Sequence, residues 1–143
     1  MSRSFVFLLF MVTVSCSGAE KICVRHVIVP GYPRLARTAR LQGLVRIDVG
    51  IGADGKVTSA KASGINKFLD RAAEENIRRW SFSPAAATGS SVPRHTIVTY
   101  VYRLDGKQEY YDPPPTVVLD LPYRVEITSN PPEPQPASTI TPK

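Results

Sequence analysis

The sequence predicts an α+β domain of about 80 residues, with two helices and three main strands. Three observations predict it: apolar residues at helical spacing from Phe68 to Trp80, strict alternation from Val45 to Ile51, and an Asp54-Gly55 pair joining that alternating run to the next one. The 143-residue chain is 43% hydrophobic and 21% charged, which suits one soluble core. Nine of its 13 prolines fall between Asp112 and Lys143, and the first 19 residues have the features of an export signal. The folded body is therefore confined to about Glu20 to Leu104. A domain of that size buries only about 60% of its unfolded surface, which excludes a large multi-domain enzyme and leaves little room for an enclosed pocket.

Each element follows from its residues. Residues 20–32 are an arm: β-prone Val24-Arg-His-Val-Ile-Val29 leads into the turn residues Pro30-Gly-Tyr-Pro33. Pro33 suits the first position of a helix, with Leu35, Ala36 and Ala39 on one side and Arg34, Arg37 and Arg40 on another. The expected helix runs from Pro33 to about Leu41 and is closed by Gly43. Val45, Ile47, Val49 and Ile51 then alternate with Arg46, Asp48 and Gly50, as in a strand with one buried face. Ala53-Asp-Gly-Lys56 predicts a type I′ hairpin turn into the partner strand Val57–Ala62. Asn66 is placed to cap a second helix whose apolar stripe is Phe68, Leu69, Ala72, Ala73, Ile77 and Trp80, with Glu74–Arg78 and Glu75–Arg79 as i,i+4 pairs and Pro84 as the stop. A last strand is expected over Thr96–Leu104. Residues 105–143 form a proline-rich tail, partly disordered, in which Thr116–Leu119 and Arg124–Thr128 are short β-prone segments.

Compartment narrows the function. Arg3, the apolar run Phe5–Val14 and the small residues Ser17-Gly-Ala19 make residues 1–19 a secretory signal peptide, too short to stay as a membrane span. Cleavage after Ala19 leaves Cys23 as the single cysteine, so no intramolecular disulfide is expected. A second reading makes Cys16 the lipidated first residue of an outer-membrane lipoprotein, although Thr13 stands where such a signal wants an aliphatic residue. Either way the mature chain leaves the cytoplasm for the periplasm. Its basic body, 14 Lys and Arg against 6 Asp and Glu from Glu20 to Leu104, is then not expected to meet nucleic acid.

The pieces Tyr32-Pro33-Arg-Leu-Ala36, Gly43-Leu-Val45, Asp54-Gly55-Lys-Val57, Phe68-Leu-Asp70 and Trp80-Ser-Phe82-Ser-Pro84, in this order, resemble the C-terminal domain of the TonB family over about Val29 to Leu104. The resemblance implies two helices packed on a three-stranded antiparallel sheet. It also implies a binding activity in which the last strand, here His95-Thr96-Ile97-Val98-Thr99-Tyr100, offers its edge to an extended segment of an outer-membrane transporter or other envelope protein. The chain departs from the family's transducers, whose membrane helix and proline-rich spacer precede the domain; here the proline-rich stretch follows it. A homodimer is a further assembly open to this fold. The competing class is an anchoring protein that meets peptidoglycan or a neighbour through Arg34, Arg37 and Arg40.

No catalytic residue, cofactor or metal site is expected. Cys23 and His26 could supply two zinc ligands, but His95 is the only other histidine and a closed four-ligand site needs more. Asp54 is explained by its turn, and Glu74 and Glu75 by arginine partners. In the tail, Thr116-Val-Val-Leu119 is similar in character to the threonine- and valine-rich segments that family members recognise. A plain extra strand or a disordered linker is the bland account of it; the sharper expectation is that it pairs with the open sheet edge and competes there with an outside peptide.

Overall fold

A computed structural model describes residues 22–85, 92–106 and 113–132. The leader with Cys16, most of the loop after Ala85 and the chain from residue 133 lie outside the described residues. The elements run β1 (Val24–His26), α1 (Arg34–Thr38), β2 (Gly43–Ile51), β3 (Val57–Gly64), α2 (Lys67–Ile77), β4 (Ser81–Phe82), β5 (Arg94–Leu104), β6 (Thr116–Asp120) and β7 (Arg124–Ser129). Five strands form a mixed sheet in the order β3-β2-β5-β7-β6, and β1 pairs with β4 in a separate two-stranded ladder. Among the described residues the fold is α+β with two helices, but the expected three-stranded antiparallel sheet is only the first part of a mixed five-stranded one. The tail hairpin β6–β7 extends the sheet, and β7 joins β5 in parallel.

Period-2 patterning decides which sheet face is covered. Val45, Ile47, Val49, Ile51, Val98, Tyr100, Tyr102, Val125 and Ile127 point into one core beneath the helices. Leu44, Arg46, Asp48, His95 and Ile97 lie on the open face. α2 packs on β2 and β3 through Leu69, Ala73 and Ile77, and the Asn66 side chain accepts the Phe68 N–H at 2.9 Å, as its capping position predicts.

Several local expectations give way to tertiary structure. α1 is five residues long, because Arg40 takes the left-handed conformation (φ 54°) and the Leu41 N–H folds back to the Ala36 carbonyl, so an arginine fills the closing position expected of Gly43. Only Ala36 of α1 is buried; Leu35 is 73% exposed. The β2–β3 turn is not type I′. Asp54 keeps a negative φ and only Gly55 is left-handed (φ 86°), which with the Gly55 N–H to Gly52 carbonyl bond makes a type I turn with a glycine bulge. α2 stops at Ile77, well before Pro84, and Trp80 is buried from the connection that follows. Its first stripe residue, Phe68, is 60% exposed. Glu74 stands 3.9 Å from Arg78, whereas Glu75 pairs with Arg71 at 2.9 Å rather than with Arg79.

The separated sequence signatures meet in space. The Phe82 N–H donates to the Gly55 carbonyl at 2.8 Å, the Ala85 N–H to the Ala53 carbonyl at 2.9 Å, and Lys56 bridges to Ser81. A Cβ on Gly55 would collide with the Phe82 carbonyl, so the Asp54-Gly55 turn and the Trp80–Pro84 connection fit only with glycine there. The arm is tied in as well: Ser83 donates to the Cys23 carbonyl, and Val24 pairs with Phe82.

Candidate functional site

The candidate site is the edge of β5, positioned by the core beneath it. Trp80 is 2% exposed; its Nε1 donates to Asn76 Oδ1 at 3.0 Å and to the Ile28 carbonyl at 3.2 Å. The Tyr100 hydroxyl donates to the same Asn76 oxygen at 2.8 Å, and Asn76 Nδ2 donates to Ile28 at 2.9 Å. This closed polar network pins β5 to α2 and to the arm. Tyr100 and Tyr102 stack at 6.4 Å, and Tyr32 meets Tyr102 edge-on at 5.4 Å while its hydroxyl donates to the Leu41 carbonyl. Burial pushes the Tyr32 hydroxyl up to about 12, and burial with a neighbouring tyrosine pushes Tyr100 and Tyr102 higher still.

Backbone geometry then sorts the six residues expected at the edge. β5 pairs with β2 from Arg94 to Tyr102, with Val98 opposite Ile47 and Tyr100 opposite Val45. The Thr99 N–H points the other way and donates to the Tyr123 carbonyl at 2.8 Å; from there to Leu104 the edge is occupied by β7. Because successive residues of a strand aim their N–H and C=O groups to opposite sides, His95 and Ile97 face the same side as Thr99, ahead of the point where β7 begins. Among the described residues no strand pairs with Arg94–Val98 on that side. The side chains of Thr96, Val98 and Tyr100 turn into the core, while those of His95 and Ile97 are exposed on the open face. The expected edge is thus divided. Thr99 is paired to the tail, Thr96, Val98 and Tyr100 aim their backbone groups at β2, and His95 and Ile97 are open.

A cleft of about 450 Å³ lies at this open end, lined by Asp48, His95, Thr96, Ile97 and Tyr123. His95 Nδ1 stands 3.6 Å from Asp48 Oδ1 on the open face. Sequence reasoning missed Tyr123, which comes from the tail turn after Leu121-Pro122; the β-prone run that follows it was the only signal of a nearby strand. It also missed Asn76, a polar residue on the buried side of a helix.

The remaining signature residues are structural in position. Tyr32 is buried against Tyr102, Pro33 caps α1, Gly43 opens β2, and Asp54 accepts the Lys56 N–H at 3.0 Å. Phe82 is buried beside Trp80, and Pro84 follows β4. Both β-prone tail segments are strands, but the one that contacts β5 is Arg124–Ser129, while Thr116–Leu119 pairs outside it, on β7, and does not reach the β5 edge as expected. The arginine row is broken up, since Arg40 lies beyond α1 and reaches the Pro132 carbonyl at 3.5 Å. Among the described residues there is no cluster of three or more His, Cys, Asp or Glu side chains that could hold a metal ion, and no helix long and apolar enough to cross a membrane.

A family model described as the Gram-negative bacterial TonB protein C-terminal matches residues 29–104, from the arm to the end of β5. Protein TonB of Vibrio cholerae is 30% identical over 79 residues, which are 54% of this chain and 32% of that protein. Protein TonB of Xanthomonas campestris is 40% identical over 62 residues, 42% of this chain and 28% of the relative. Protein TonB of Pseudomonas aeruginosa is 24% identical over 81 residues, 55% of this chain and 24% of the relative. The chain therefore spans about a third or less of the length of these relatives.

Proposed function

Because this chain belongs to the TonB C-terminal family, we propose that it is an exported, periplasmic peptide-binding module that serves transport across the cell envelope. It takes an extended segment of an outer-membrane transporter or another envelope protein by β-augmentation along β5. The observation that carries this reading is the outward-facing backbone of His95 and Ile97, unpaired beside the cleft at Tyr123. An incoming strand there completes the sheet with main-chain hydrogen bonds, and alternate side chains of the peptide supply selectivity. The basic-face alternative has less support, since Arg40 is engaged with the tail and α1 is too short to present a continuous row.

Labelled peptides from the N-terminal plug segments of transporters, titrated against the full chain by fluorescence anisotropy, test the proposal. Saturable binding that a soluble peptidoglycan fragment does not compete away supports it. Binding to peptidoglycan alone would favour the anchoring role.

A further inference from the structure

The family match ends at Leu104, and the hairpin that follows it is an addition lying on the very edge the proposed function needs. Three observations say how firmly it lies there. Val125 and Ile127 are fully buried in the same core as Val98 and Tyr102. The parallel ladder is closed at both ends, by Thr99 N–H to the Tyr123 carbonyl at 2.8 Å and by Asp105 N–H to the Ser129 carbonyl at 3.0 Å. On the open face, Glu126 of β7 is 3.4 Å from Arg103 of β5 and 3.1 Å from Arg124. A strand with two aliphatic side chains in the core is part of the fold, not a loosely held flap.

We infer that the hairpin β6–β7 is a resident strand pair that shortens the docking edge, so that a peptide is taken only in the slot along Arg94–Val98. This deepens the peptide-binding reading above and rests on it. Five residues of strand give a slot about 16 Å long. Its floor is the β5 backbone with the N–H and C=O groups of His95 and Ile97, and its end wall is Tyr123, which is 57% exposed. The slot fits a short extended peptide and rejects one that must run past Thr99 in either direction. The residue opposite Ile97 lands on the open face between Ile97, 48% exposed, and the Tyr123 ring, so an apolar β-branched or aromatic side chain is favoured there. The sheet gains a new terminal edge at β6, outside the slot.

The test uses the full chain with Cys16→Ser and Cys23→Ser, with and without Val101→Cys plus Glu126→Cys. The last two residues are direct neighbours on β5 and β7, so their disulfide locks the hairpin in place. The probe is a blocked peptide of alternating threonine and valine with lysine at each end, followed by amide chemical shifts and by anisotropy. The expected result is a footprint on residues 94–98 and Tyr123, the same affinity in the locked and reduced forms, and a loss of about threefold to tenfold on Ile97→Pro, which deletes one outward donor. Tyr123→Ser, a surface change that leaves the fold intact, should also weaken binding. Binding that spreads to Thr99–Leu104 and is abolished by the lock would show that the hairpin is displaced, overturning the inference while leaving the peptide-binding function standing. A footprint on Thr116–Asp120 would overturn it in favour of the new edge. No footprint with this probe or with any transporter peptide would overturn the binding function and the slot together.

Discussion

Replacing Asn76 by alanine removes the hub where α2, β5 and the arm are tied together, and the structure allows its cost to be worked through. Asn76 Oδ1 accepts from both Trp80 Nε1 and the Tyr100 hydroxyl, and Nδ2 donates to the Ile28 carbonyl. After the change Trp80 still has the Ile28 carbonyl, so the group left orphaned is the buried Tyr100 hydroxyl, at about 1–3 kcal/mol. The two other lost bonds, whose partners Trp80 Nε1 and the Ile28 carbonyl still meet each other, and the small void add about 1 kcal/mol, and the better helix propensity of alanine returns about 0.5 kcal/mol. The expected loss is about 1.5–3.5 kcal/mol. Tyr100→Phe alone should cost about 1 kcal/mol, since Asn76 Oδ1 keeps Trp80 as a donor. In the double variant the orphaned hydroxyl is gone, so the combined loss should fall short of the sum by about 1–2 kcal/mol. Urea unfolding followed by the fluorescence of Trp80, the single tryptophan, measures all four proteins of the cycle. Additivity within about 0.3 kcal/mol would refute the network, because residues that share a buried hydrogen bond must couple.

Other perturbations probe different parts of the fold. Trp80→Ala should cost about 3–5 kcal/mol by circular dichroism, because the ring is buried between Phe82 and Tyr100; an unchanged thermal midpoint would mean the ring is not core. Gly55→Ala should cost more than about 2 kcal/mol, since it adds a clash with the Phe82 carbonyl to a left-handed backbone; thermal melts showing a loss below 1 kcal/mol would mean that the turn and the Trp80–Pro84 connection are not locked together. At high pH the unfolded chain ionises its tyrosines near pH 10 while Tyr32, Tyr100 and Tyr102 keep their protons in the folded state, Tyr32 up to about 12. The contribution of these three tyrosines to stability should therefore be constant below about pH 10 and fall above it by up to about 1.4 kcal/mol per pH unit for each. The Tyr102 hydroxyl is buried without a partner, so Tyr102→Phe should cost little at pH 7 and make the alkaline fall shallower; a slope unchanged by the substitution would show that this hydroxyl is hydrated.

By itself the sequence determined the local choices. Alternation from Val45 to Ile51 assigned each side chain to the covered or the open face, because the side-chain period of a strand is two whatever lies beside it. Asn66 and the buried Leu69, Ala73 and Ile77 specified α2 and the face it presents, and the ordered signatures from Tyr32 to Pro84 placed the chain in its family. The tertiary structure decided everything that depends on a neighbour distant in sequence. Pattern says which face a strand buries but not which strand pairs with it, so the choice of Arg124–Ser129 over Thr116–Leu119 as the partner of β5, and its parallel direction, was not written in either segment. The same limit explains Trp80, which continues the helical spacing of α2 yet reaches the core from outside the helix, because the arm carbonyl of Ile28 and the Gly55 turn are there to receive the connection. The candidate site follows suit. Its strand was legible from its own residues, but its usable length is set by where β7 begins, and that point is fixed by the burial of Val125 and Ile127 in a core assembled from the whole chain.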